Sequence, residues 1–251
     1  MMPRYIGWLL VSAAMASSAS AQQHDAQKAR EVITAAIAAK GGKDRLLQFP
    51  AWHIKYRESF LRGGKEMIEI GDAYEHLSRG QARYETAPDD FILVNGKEGY
   101  VKNGEKVTPL TAGQLADFQE YFSGKEAMLT LLPLLTDEWH SAVMGEKEVD
   151  GRGTTVLRIA RKKWTATLYL DRKTHLLAGA EYPHKRLIEV DDSKRTASTR
   201  EARFSDYKAI EGVLFHTKLL SFSGGKPLGR VEFTAIKRMK QLPDSILAVP
   251  K

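Results

Sequence analysis

Apolar residues along the first third of the chain change their period once, from about 3.6 to 2. Between Ala26 and Ala39, the residues Ala29, Val32, Ile33, Ala36 and Ile37 fall on one stripe at helical spacing, so a helix is predicted there. Gly41-Gly42 ends it, and Lys43 to Phe49 has room for one more turn before Pro50. From Trp52 the period becomes two: Trp52, Ile54, Tyr56 and Glu58 alternate with His53, Lys55, Arg57 and Ser59. Further strands are predicted over Met67–Ala73, Ala82–Thr86, Phe91–Val94, Gly99–Lys102 and Lys106–Leu110. Arg62-Gly63-Gly64-Lys65, Asn95-Gly96 and Asn103-Gly104 have the composition of tight hairpin turns between them.

One long interruption follows. Thr111 and Gln114 have capping-box spacing, which predicts a helix start, and Leu115, Phe118 and Phe122 share an apolar face of that helix. Gly124 is expected to break it. The run from Ala127 to Leu135 is the most apolar segment after the N-terminal leader, and Pro133 bars it from being an unbroken helix or a central strand. Strands then resume at Trp139–Met144, Thr155–Arg161, Trp164–Leu170, Leu176–Tyr182 and Arg186–Val190. A charged loop at Asp191–Thr199 leads to three more, at Arg200–Tyr207, Val213–Phe222 and Arg230–Met239, with Pro243–Pro250 as an irregular tail.

Ten or more short strands with close connections must pair antiparallel, because parallel neighbours need long crossovers. The predicted class is therefore α+β, mainly β. A sheet of that many strands curves and has a large concave apolar face, which the helices at Ala26–Ala39 and Thr111–Leu135 are the candidates to cover.

The N-terminus adds a location. Arg4 precedes an apolar stretch from Tyr5 to Ala16, and small residues end in Ala19-Ser20-Ala21, the layout of a secretory signal peptide cleaved after Ala21. Its removal leaves roughly 230 of the 251 residues, within the range of one large domain over residues 22–251. A periplasmic location is expected. The absence of cysteine excludes disulfides, thiolate metal sites, thiol nucleophiles and lipid attachment through an N-terminal cysteine. The formal charge of +7 makes an anionic membrane surface a natural transient neighbour. No basic tract is interleaved with aromatics, so nucleic acid is not an expected partner.

No set of residues reads as catalytic. Ser205 and Lys208 match a Ser-x-x-Lys spacing, but on a strand end rather than a helix start and without companion motifs. The seven histidines show no ligand spacing. Glu189, Asp191 and Asp192 lack the periodic oxygens of a calcium loop. Gly151-x-Gly153 lacks the third glycine of a dinucleotide fingerprint. No enzyme activity, metal or cofactor is expected.

Three stretches carry a family resemblance as an ordered set: Gly145-Glu146-Lys147-Glu148-Val149-Asp150-Gly151-Arg152, then Leu168-Tyr169-Leu170-Asp171 through Thr174 to Leu177, then Phe204-Ser205-Asp206-Tyr207 with Glu211-Gly212-Val213. Their order resembles the LolA/LolB-like superfamily of outer-membrane lipoprotein carriers. The element order is similar over about residues 28 to 240, and the sequence only at these turns. At one position the chain departs from many relatives, which carry proline where His216 follows Phe215. The resemblance implies a strongly curved antiparallel sheet that forms an unclosed barrel around an apolar cavity with helices as its lid, acyl chains or a lipoprotein as partners, and no cofactor.

The residues themselves nominate a lid and a lining. Leu115, Phe118, Phe122, Met128, Leu131 and Leu132 would form either a movable lid or a permanent plug. Trp164, Leu168 and Leu170 share one face of a strand, as cavity lining or as plain core. The expected function is a periplasmic carrier or chaperone for acyl chains or a lipid-modified protein. The alternative is a protein-interaction or envelope-stress sensory domain with a filled core.

Overall fold

A computed structural model describes residues 25–87, 90–185, 187 and 198–249. The expected signal peptide and the residues Glu189, Asp191 and Asp192 lie outside them, as does the strand expected over Arg186–Val190 except Leu187, which is in a turn.

Helix α1 spans 25–39 and buries Ala29, Ile33, Ala36 and Ile37, the stripe given by the 3.6 period. Helix α2 (Lys43–Gln48) follows. It is held to the last strand by the buried Arg238 guanidinium, which donates to the carbonyls of Leu46 and Phe49 at 3.1 and 3.2 Å. Six strands come next: β1 (Ala51–Arg62), β2 (Lys65–His76), β3 (Gln81–Ala87), β4 (Asp90–Asn95), β5 (Glu98–Asn103) and β6 (Lys106–Pro109). Gly96 takes φ 64 in the β4–β5 turn, a conformation a side chain disfavours. Helix α3 (Ala112–Thr130) interrupts the sheet, and β7 (His140–Val149), β8 (Arg152–Arg161), β9 (Trp164–Asp171), β10 (Leu177–His184), β11 (Ser198–Ile210), β12 (Val213–Ser223) and β13 (Lys226–Met239) complete it. Residues Ser198 and Thr199, expected in a loop, already belong to β11, and the tail holds a short helix α4 (Asp244–Leu247) rather than wholly irregular chain.

The thirteen strands form one antiparallel sheet in the order β6-β5-β4-β3-β2-β1-β13-β12-β11-β10-β9-β8-β7. The last strand returns to lie beside the first, so the edges are the two strands flanking α3, and the sheet is not closed. Bulges at Lys55/Tyr56, Leu177/Gly179, Ser221/Phe222 and Val143/Gly145 interrupt the register, and each adds local twist and bend.

Thr111 and Gln114 make the capping box expected of them, with Thr111 Oγ1 accepting from the Gln114 N–H at 3.2 Å and Gln114 Oε1 from the Thr111 N–H at 2.8 Å. Gly124 does not break α3. It is buried in mid-helix, and a Cβ there would meet Trp164 Cζ2 at 2.5 Å, so the missing side chain is what lets the helix lie against the indole. The helix ends instead at Leu131, with φ 61, and Pro133 falls in a short 3-10 turn over Leu132–Leu135. Proline there needs no N–H donor from the preceding turn.

Candidate functional site

Helix α3 lies under two unlike pieces of core. Its first half, with Phe118 and Phe122 each 1% exposed, packs with Leu77, Ala82, Val94 and Leu110, and Leu115 lies at the margin of that group. Its second half brings Met128, and beyond the helix Leu131, into a larger cluster with α1 and strand β9, where Trp164, Leu168 and Leu170 are buried and Leu132 is half-buried against them. The nine nominated side chains are therefore divided between two clusters.

Between α3 and the middle of the sheet is a cavity of about 250 Å³. Strand β1 contributes Ile54, Tyr56 and Glu58, the alternating set read from the sequence. Neighbouring strands add Ala73 and Tyr84 on one side and Tyr182, Phe204, Phe215, His216, Leu219, Val231 and Phe233 on the other. Helix α3 supplies Tyr121, Lys125, Met128 and Leu129 as the cover. Of the nominated residues, Met128 is on this wall. Leu132 and Trp164 instead line a wider groove of about 940 Å³, which also touches Asp117, Glu120, Glu126 and Glu138.

The cavity has a polar corner. Glu75, on β2, is 0% exposed, and its Oε1 accepts from Lys125 Nζ and, at 2.8 Å, from the Tyr84 hydroxyl. Its Oε2 is buried without a hydrogen-bond partner. Burial opposes the charge on Lys125, but the Glu75 carboxylate overrides it and holds the ammonium above its ordinary range. Burial, reinforced by the Glu75 charge, pushes the Tyr84 hydroxyl well above its ordinary value. His216, 2% exposed, is enclosed by the rings of Phe204, Phe215, Phe233 and Tyr207. Burial, then the charges of Lys40 and Lys125, drive its pKa well below 6.5, so the imidazole is neutral. Lys40 is itself brought down to about 8 by burial, and Tyr182 is pushed up to about 12 by the same cause. Glu58 is raised by burial and by Glu69, against the opposing pull of Arg200.

This arrangement can shelter an apolar chain and offer it a cationic donor at one corner. Nothing in it resembles a nucleophile with an attendant base. Among the described residues no group of three or more His, Asp or Glu is placed to hold a metal ion, and no helix is long and apolar enough to cross a membrane. The sequence signal for Tyr56 and Glu58 was the alternation of β1. Lys125, Glu75 and His216 gave none, because their meeting depends on strands and a helix distant in the chain.

No family model and no curated protein matches the chain. Solved structures do. A DUF1329 family protein from Desulfovibrio piger superposes with a TM-score of 0.55 at 16% identity. A LolA superfamily protein from Nitrosomonas europaea gives 0.54 at 13%. A domain described as an outer membrane lipoprotein-sorting protein from Vibrio parahaemolyticus gives 0.55 at 9%. Each likeness covers 88% of this chain and 97% of the other. Identities this low establish a shared fold.

Proposed function

We propose that this chain, which has the LolA-like fold, is an exported envelope protein that carries or shelters acyl chains, or the lipid anchor of a protein, without performing a reaction. The observation that carries the reading is the cavity of about 250 Å³ beneath α3, with phenylalanines, leucine, valine and tyrosines on most of its wall. Apolar surface withdrawn from water contributes about 25 cal/mol per Å² before ordering costs, so sequestering a chain there is worth several kcal/mol. The solved structures of the same fold include one described as lipoprotein-sorting, which supports the same class of cargo. Removal of residues 1–21 on export and one domain over the remainder belong to this reading, with Met128 the nominated residue on the cavity wall and the other eight as the packing around it.

The volume lies just below the roughly 300–1,000 Å³ of ordinary small-molecule sites. A cargo with several chains therefore requires α3 to move outward, whereas one chain fits with less displacement. The test is native mass spectrometry of the protein taken from envelope extracts, together with titration by a fluorescent fatty acid. A bound lipid mass and a saturable fluorescence change are expected; absence of both rejects the proposal.

A second reading, a protein-interaction or sensory domain, draws on the other half of α3, where Phe118 and Phe122 are buried among apolar neighbours. It predicts a stable protein partner in crosslinking pull-downs and no lipid in the purified protein.

A further inference from the structure

The two ends of the cavity differ in charge. In the β1–β2 register Glu75 lies opposite Trp52 and Glu69 opposite Glu58. Six residues of strand separate the two levels, about 20 Å. At the Trp52 level is the Lys125–Glu75 pair, and at the other end of the wall is the Glu58 carboxylate beside Glu69. His216 lies between the two levels, near the Lys55/Tyr56 bulge, since Lys218, two residues beyond it, is opposite Glu232, which is opposite Arg57.

Resting on the acyl-chain reading, we propose that the cavity selects a single chain ending in a compact anion, a carboxylate or a phosphate, and that Lys125 receives the anion. Lys125 is on the cavity wall and has three N–H donors, of which Glu75 Oε1 engages one and the Tyr121 side chain a second. Glu75 keeps the Tyr84 hydroxyl when the ammonium is shared. The cations whose charges reach His216 on the cavity wall are Lys125 and Lys40, and Glu75 is the acid paired with Lys125, so the balance of these three groups is positive with the imidazole neutral. An anion entering there meets a net attraction and at least one free donor. A neutral head group gains the donor alone. At the opposite end the carboxylates of Glu58 and Glu69 outnumber Arg200, the cation acting on Glu58, and repel the same anion, which sets which way round the chain lies. The volume of about 250 Å³ limits the tail to one chain.

The test is competition against a fluorescent fatty acid on the full delipidated chain, using decanoate, decyl phosphate and decanol as probes. A charge-assisted hydrogen bond predicts that decanoate or decyl phosphate displaces the dye about tenfold more tightly than decanol. The tighter of the two anions identifies the head group. In the double variant Glu75→Gln/Lys125→Met, which removes the cation without stranding the carboxylate, the ratio of anion to decanol affinity falls to about one. Equal affinity of the wild type for decanol and both anions overturns the inference and leaves acyl binding standing. A preference that survives in the double variant also overturns it. Failure of every probe to bind overturns the acyl-chain reading itself. The wild-type comparison decides the matter even where the double variant does not fold.

Discussion

The first half of α3 and its second half cover the same sheet in opposite ways. Phe118 and Phe122, in ring contact and each 1% exposed, pack with the buried apolar side chains of Leu77, Ala82, Val94 and Leu110. Under Lys125 and Met128 the core contains a void, a buried ion pair, a carboxylate oxygen with no partner and a neutral histidine between two lysines. One helix thus combines an anchor with a region whose packing is incomplete and whose polar groups are only partly satisfied. A fold maximised for stability would fill the second region as it fills the first. That it does not is the physical reason to look for a guest there.

The sharpest way to break the contrast is to damage the anchor. Phe122→Ala removes a ring 1% exposed from a site with no slack and is expected to cost about 3–5 kcal/mol, measured by urea denaturation. Slightly below it comes Lys125→Met alone. It leaves Glu75 charged or forces it to take a proton inside the core, which costs about 3 kcal/mol by the same assay. Adding Glu75→Gln should recover most of that loss. A single variant no less stable than the double would mean that the pair is not functionally buried.

The next effect is a slope rather than a step. His216 faces Lys40 and Lys125 and is otherwise surrounded by Phe204, Tyr207, Phe215 and Phe233. Burial keeps its ring neutral in the folded chain, while in the unfolded chain it protonates below about 6.5. The unfolded state then binds the extra proton, so this contribution is complete above that pH and is lost as pH falls through and below it. The loss is up to about 1.4 kcal/mol per pH unit. Subtracting the stability curve of His216→Phe from that of the wild type should isolate the slope between pH 6.5 and 5; a flat difference would place a compensating acid beside the ring.

Much of this architecture is legible in the residues. The stripe of α1, the inward set Ile54, Tyr56 and Glu58, the Thr111–Gln114 cap and the buried face of β9 all follow from local period. The contents of the cavity do not. Glu75 meets Lys125 across a separation of 50 residues, and the wall is completed only because β13 returns to β1, a pairing that no local pattern encodes. The nominated residues are among the most apolar in the sequence. Those are the side chains that pack tightly, so Phe118, Phe122, Leu131 and Leu168 are among the most completely buried residues, while the space remains beside tyrosines and a lysine. Gly124 misled for a related reason: its meaning depends on Trp164, 40 positions away in the sequence and in contact only through the fold.

The smallest expected change in stability separates the two regions most cleanly. Val231, on β13, is half-buried and borders the cavity. Val231→Phe adds volume where volume is available, so its ring can enter the void without displacing a neighbour, and the change in stability should stay within about 1 kcal/mol. The corresponding insertion in the filled region, Ala82→Val at a site 0% exposed beside Phe118 and Phe122, has nowhere to go and should cost about 1–3 kcal/mol. The two variants also separate in binding: Val231→Phe should abolish the fluorescent fatty-acid titration while the protein remains folded, and Ala82→Val should leave it intact. If Val231→Phe binds the dye as the wild type does, the chain is held elsewhere and the void beneath α3 is a packing defect.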